Sequence, residues 1–297
     1  MMRKLIQTQC PVQFLSFVLA ISLVGSSCND NAYSSPKGYD FRKPVKSELG
    51  RDLNEISGMT YNDDDTTILA VSDSKRKVFE LDLKMLKLRD YSEKMYTQSD
   101  FEDLVKLDTT VYVLISNGTI ISMPLRVHDS SNTTAYPLPF SGKNDFETLY
   151  HDQALNALIV LCKSCESDKG KQMRSAYRFD LLTKQFDSSA FYTISTKDVK
   201  GIMKNDDADF SPSAAAIHPV DKRLYILSSA GNLLVIADTR GKVLEGYNLN
   251  PDQYPQAEGI TFSPNGTLYI SNEGKYGKPT LLMFPYLGKQ DAPKKSK

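Results

Sequence analysis

Residues 144–150 read NDFETLY: two acids and an aromatic at the start of a strongly apolar segment. SDFEDLV (99–105) stands 45 residues earlier, since Glu147 minus Glu102 is 45, and PQAEGITF (255–262) supplies another Glu further on. Carboxylates resist burial unless something compensates them, so acids recurring beside apolar runs call for an explanation. Aligning EISGMTY, DFEDLVK, DFETLYH, SPSAAAI and QAEGITF puts Ser57, Glu102, Glu147, Ser213 and Glu258 in one column, at intervals of 45, 45, 66 and 45. Each column residue opens a short apolar run, followed by a polar turn such as NDDDTT, HDQALN or SPNG. A strongly β-prone run comes next (ILAVSD, VYVLIS, ALIVLCK, LYILSS, LYISNE), then a third and a more polar fourth. Such runs, bounded by Gly, Asn, Asp and Pro, are strands. Four short antiparallel strands repeated at this period describe a propeller blade.

Five column residues predict an all-β, five-bladed β-propeller. The last unit runs out after three strands near LLMFPY, and GYDFRKPVKSEL (38–49) is placed to supply the missing fourth, closing the ring without an open edge. A sixth blade would have to hide in the 66-residue interval, whose 21 extra residues are too few and too polar. The insertion there, STKDVKGIMKNDDAD, reads as a solvated acidic loop, and nothing beyond the N-terminal segment shows long helical periodicity.

Composition sets the outer bounds. Lys plus Arg and Asp plus Glu number 36 each in 297 residues, so there is no basic field of the kind nucleic acid requires. Residues 1–27 carry Arg3 and Lys4 ahead of FLSFVLAISLVG, too short to span a bilayer and suited to a secretory signal. GSSC follows, in the manner of a lipoprotein signal cut before a lipidated Cys28, although Gly25 stands where Leu is usual. The expected organisation is a signal peptide (1–27), a tether (28–38), the propeller (39–287) and a basic tail (288–297). The expected location is the bacterial cell envelope, lipid-anchored at the outer membrane or periplasmic face, with the chain a monomer. Cys162 and Cys165 in LCKSCE are read as packed strand cysteines or a non-catalytic disulfide; two alone make a poor zinc site.

The innermost strands of a propeller begin around the central channel. Glu102, Glu147 and Glu258, with Ser57 and Ser213, are therefore expected to face one another at one mouth. Carboxylates so crowded protonate or take up a cation. Ca2+ suits the ring, since it accepts six to eight oxygen ligands in flexible geometry. The ends of the second strands place Asp73, Asn117, Lys163, Ser229 and Asn272 around the rim as a polar ligand-binding tier. Asp100 and Asp145 are expected to cap the turn onto the strand.

These motifs, EISGMTY, DFEDLVK, DFETLY and PQAEGITF with its following LYISNE, resemble the SdiA-regulated family of bacterial envelope proteins over residues 45 to 287. The resemblance implies a five-bladed propeller distantly similar to NHL-repeat proteins, with calcium bound at a site carried over to Glu102, Glu147 and Glu258. SPSAAAI departs from the pattern, with Ala214 where Gly is expected. The family name gives no activity and does not imply DNA binding. Two functions are left open. One is a calcium-stabilised module binding a small polar ligand or an envelope protein. The other is a calcium-dependent hydrolase of lactonase, esterase or phosphotriesterase type, in which the ion polarises the substrate and Asp73 or Glu273 acts as base. His128, His151 and His218 are read as surface or turn residues.

Overall fold

The column period is realised as five antiparallel sheets set about a common axis. A computed structural model describes residues 33–62, 66–92, 100–124, 133–275 and 277–288. The lipidation candidate Cys28, His128, the signal segment and all but Gly288 of the tail lie outside them.

In chain order, β1 (Val45–Glu48) precedes the first complete blade, β2–β5: Ile56–Tyr61, Thr67–Ser72, Lys77–Asp82 and Leu88–Asp90. Blade two is β6–β9: Phe101–Leu107, Thr110–Ile115, Ile120–Pro124 and Thr134–Tyr136. Blade three is β10–β13: Asn144–Asp152, Ala157–Cys165, Met173–Asp180 and Gln185–Phe186. It gains a further strand, β14 (Tyr192–Ser195), which also pairs with β12. Blade four is β15–β18: Ala214–Ile217, Leu224–Ser228, Leu233–Ala237 and Val243–Asn248. Blade five is β19–β21: Ala257–Phe262, Leu268–Asn272 and Thr280–Phe284, completed by β1, whose Lys46 pairs with Leu282. The two ends of the ring are thus joined by hydrogen bonds, as expected, and no sixth blade is present among the described residues.

Alternation explains why the sheets stack. The second strands are buried along nearly their whole length, as in TILAVS, ALIVLC, LYILS and LYISN, because both faces meet neighbouring blades. The core is accordingly five clusters, each between two adjacent sheets: Phe101 with Leu69, Phe146 with Leu114, Tyr150 with Ala215, Tyr225 with Phe262, and Tyr269 with Ile56. The segment leading into β1 seals the last of the seams. Tyr39 and Phe41 are buried between blades four and five, and the Tyr39 hydroxyl donates to the Gly266 carbonyl at 2.6 Å.

Two expectations change here. The insertion read as an acidic loop starts at the last residue of β14 and contains a helix, α1 (Thr196–Met203). Its N-cap, Ser195, accepts from the Asp198 N–H at 3.0 Å, and Lys204 ends it in the left-handed region. Val199 is buried, and Met203 lies so close to Gly246 of β18 that a Cβ there would collide with its sulfur. The helix therefore covers blade four rather than standing in solvent. His218 is a turn residue but not a surface one. It is fully buried, with Nδ1 accepting the Val220 and Asp221 N–H groups and Nε2 2.7 Å from the Tyr39 hydroxyl. It pins the entry segment to blade four.

Candidate functional site

Each column residue sits where the strand pairing slips. Ile56 faces Ser72 and Gly58 faces Val71, leaving Ser57 without a cross-strand partner. The same slip skips Glu102 (between Phe101 and Asp103), Glu147 (between Phe146 and Thr148) and Glu258 (between Ala257 and Gly259). Ser213 precedes β15, and its N–H reaches the carbonyl of Leu227, the residue that Ala214 faces. These are β-bulges, which re-aim a side chain at the end of a strand. The residue before each acid (Phe101, Phe146, Ala257) is buried in an inter-blade core. The extra residue lets the acid escape that core.

The acids act on one another electrostatically around the mouth, with no three of their carboxylate oxygens within 4.8 Å of one another among the described residues. Burial raises Glu102 to about 9, helped by Glu147, Asp73 and Asp145. Burial and Glu258 raise Glu147 to about 7, against the pull of Lys163. Burial and Glu273 raise Glu258 to about 7, against Lys163, Ser229 and Gln256. Glu273 is itself raised to about 7 by burial, Glu55, Asp73 and Glu147, and Asp73 to about 6 by burial and Asp100. Glu102, Glu147, Glu258, Glu273 and Asp73 are thus linked by mutual repulsion into one acidic ring, with Glu55, Asp100 and Asp145 adding to it. Its counter-charges include Lys163, whose ammonium donates to Glu147 Oε1, with Lys275 acting on Glu273 and Arg76 on Asp73. Burial lowers the Lys163 pKa, but Glu147 and Glu258 outweigh it and hold the net shift upward. These cations do not balance the crowd: Glu147 stays raised even with the Lys163 bond, and Glu273 and Asp73 stay raised beside Lys275 and Arg76. The second Glu147 oxygen, Oε2, is buried without a hydrogen-bond partner among the described residues.

The serines do less than expected. Ser213 Oγ donates to the Ala257 carbonyl at 2.9 Å and accepts the Ser229 N–H at 3.3 Å, so it ties blade four to blade five. Ser57 Oγ leans on the Glu55 carbonyl at 3.4 Å. A cavity of about 330 Å³ beside the ring is lined by Glu147, Glu258, Lys163, Ser213 and Ser229. In the rim tier, Asp73, Lys163 and Ser229 act on ring acids. Asn117 is an exposed turn residue whose Oδ1 accepts the Thr119 N–H at 2.9 Å. Asn272 is a correction: it is fully buried, donating to the Gln253 carbonyl and to Thr280 Oγ1, because it still belongs to β20 and faces inward. Asp100 is no cap for the strand either. It pairs with Arg76 at 3.3 Å and hydrogen-bonds Asp73.

Two residues that the column does not contain complete the site. Glu273 joins the ring from just past β20. Asp103 lies one residue beyond its bulge, 4% exposed, with Oδ1 accepting the Leu104 N–H and Oδ2 the Leu149 N–H of blade three, both at 2.8 Å. Burial pushes its pKa well above the usual carboxylate range, against those two hydrogen bonds. Gly58 faces this carboxylate so closely that a Cβ would meet it at 2.3 Å. That contact gives the Gly of EISGMTY its reason.

The strand carrying Lys163 is also irregular. Asp145 faces Ser164 and Phe146 faces Cys162, so Lys163 is skipped just as Glu147 is. Residues three apart in a regular strand point to opposite faces. The extra residue brings Cys162 and Cys165 to the same face, where they form a disulfide bracketing Lys163. Asp168 lies near both sulfurs, but a disulfide offers no thiolate to a metal.

The ring predicts a pH dependence. Its acids bind protons more tightly folded than unfolded, where ordinary values of 4.5 for Glu and 3.8 for Asp apply. Their contribution to stability is complete below the unfolded values and lost as pH rises through the folded ones. The cation-free propeller should therefore melt at progressively lower temperature from about pH 5 to about pH 9. A melting temperature constant over that range would contradict the ring's crowding.

Fold and site together define an all-β propeller with an acid-ringed mouth. The SdiA-regulated family model matches residues 36–276, and the chain belongs to that family. No curated protein sequence matches it. Among solved structures it is similar to regucalcin, a calcium-binding protein from Agrobacterium tumefaciens. The two are 12% identical over 87% of this chain and 96% of that one, with a TM-score of 0.51. It is also similar to the PQQ-bound aldose sugar dehydrogenase of Streptomyces coelicolor: 11% identity, 84% and 99% coverage, TM-score 0.49. A luciferin-regenerating enzyme gives 12% identity, 84% and 98% coverage and a TM-score of 0.49. At these identities the likeness is one of fold alone.

Proposed function

We propose that this chain is an exported, lipid-anchored propeller that holds a calcium ion at its acid ring and presents that mouth to a small polar ligand or an envelope protein. The observation that carries the ion is the acid ring: five carboxylates raised by burial and by mutual repulsion that the nearby cations do not cancel, and a buried Glu147 oxygen without a hydrogen-bond partner among the described residues. Glu102, Glu147 and Glu258 are the ligands, with Glu273 and Asp73 beside them. A hard divalent cation answers such all-oxygen crowding best, and the flexible coordination of calcium tolerates a ring assembled from separate blades. That regucalcin is a calcium-binding protein agrees with this. Export and anchoring rest on the segment FLSFVLAISLVGSSC ending at Cys28. A thioether diacylglycerol with a further acyl chain holds a protein stably on a membrane. Cys28→Ala should release the protein from the membrane fraction, and a variant that stays membrane-bound would refute the anchor.

Hydrolysis is the second reading, favoured by one feature. Asp73 and Glu273, raised to about 6 and about 7, are bases matched to neutral pH beside the ion site. Assaying the calcium-loaded protein against lactones, aryl esters and phosphotriesters decides between the two. The binding reading expects no turnover above buffer. Turnover abolished by Glu273→Gln or Asp73→Asn in a folded protein would overturn it.

A further inference from the structure

Beside the ring, blade three carries a second cavity of about 870 Å³, a volume within the range of small-molecule sites. Lys143, Lys169, Lys171 and Arg174 line it, and Lys163 and Ser211 belong both to it and to the smaller ring cavity. None of those first four cations has a carboxylate within ion-pair distance among the described residues. Arg174 adds a sharper sign: its Nε is buried with no hydrogen-bond partner there, while Nη1 donates only to the carbonyl of Met173 at 3.1 Å. An orphaned guanidinium N–H on a cavity wall is a donor waiting for an acceptor.

The acids on the same wall do not fill that role. Asp168 is buried and committed to Ser175, accepting its N–H at 2.8 Å and its hydroxyl at 2.5 Å. Asp145 also lines the cavity, and its charge is shared with Lys163. Glu166 and Asp145 therefore stand as the opposing charges against five lining cations, Lys143, Lys163, Lys169, Lys171 and Arg174. The elaborations of blade three converge on this wall. Its first hairpin has nine-residue strands, the disulfide brackets Lys163, and β14 backs the strand of Arg174, with Arg174 paired to Ile194.

The geometry points to the blade-three cavity as a phosphoryl-binding subsite, for a small phosphomonoester or pyrophosphate-bearing ligand whose remaining part lies toward the ring. Several unpaired cations match a dianionic group better than a monocarboxylate, and guanidinium with ammonium groups is the donor set phosphate recognition uses. The cations of this subsite all come from blade three, and four of the five stand outside the ring, so it can fail while the ring's cation stands.

Titration calorimetry with pyrophosphate and with inorganic phosphate, on divalent-free protein in low salt, tests it. Pyrophosphate should bind and weaken as salt is added. The exposed pair Lys143→Gln/Lys171→Gln should weaken it about tenfold, as should Arg174→Gln, the loss expected for one charge-assisted hydrogen bond. Lys87→Gln, on the outer edge of blade one, should leave it unchanged. Should Arg174→Gln fail to fold, the surface pair still decides. Absent binding, full binding by the double variant, or succinate binding as tightly as pyrophosphate would each overturn the assignment. The calcium response of the double variant, measured in parallel, should remain intact.

Discussion

Replacing Asp103 by Ala should cost the propeller about 3 kcal/mol or more, because it strands the buried N–H groups of Leu104 and Leu149 without acceptors. In a domain of this size that corresponds to a melting point lower by about 10 °C. The side chain spans two blades: it leaves β6 one residue past the bulge and takes up a backbone donor of β10. Asp103→Asn should cost less, since its remaining carbonyl still accepts one of the two bonds. Urea and thermal melts in excess calcium provide the comparison. An Asp103→Ala protein melting within about 2 °C of the parent would mean that this tie contributes nothing, given the usual cost of orphaned buried donors.

Calcium should raise the melting temperature of the domain by a comparable amount. A ligand present at about 100 times its dissociation constant adds about 2.7 kcal/mol to the folded state. The gain should be largest at the alkaline end, where the cation-free ring is fully ionised and most repulsive. Glu102→Gln, Glu147→Gln and Glu258→Gln should each weaken the response. In the absence of calcium each should instead raise the melting point above about pH 7, because one repelling charge has been removed from a raised group. That reversal of sign separates a cation site from a merely structural hydrogen bond, for which Gln would be neutral or harmful in both conditions. A calcium-independent melting curve would remove the ion from the account.

Much of the architecture could be read from spacing alone. A side chain that must reach the axis recurs once per blade, so Glu102, Glu147 and Glu258 declare both the number of blades and the end of the channel at which they gather. The closing strand was legible for a related reason, as a fourth run was missing at one end and spare at the other. The bulges were not legible. A residue added within a strand leaves its composition unchanged, and its effect appears only in the pairing of Phe101 with Ile115 and Asp103 with Leu114. The same blindness hid the face on which Cys162 and Cys165 meet, and it let Asn272 be placed on the rim when its strand still holds it inside. The helix Thr196–Met203 did carry a signal: a Ser cap with Asp three residues on, and Val199 and Met203 four apart. It is short enough for its polar majority to read as loop. Asp103 looked like one more acid in an acidic motif, and only the approach of Gly58 and Leu149 sets it apart.

Anomalous diffraction from crystals grown with calcium, or with terbium in its place, tests the cation ring most directly. The account predicts one strong peak on the channel axis, within coordination distance of carboxylate oxygens from Glu102, Glu147 and Glu258. A ring free of anomalous density in saturating metal, with those side chains bonded to Lys163 and backbone amides alone, would contradict it.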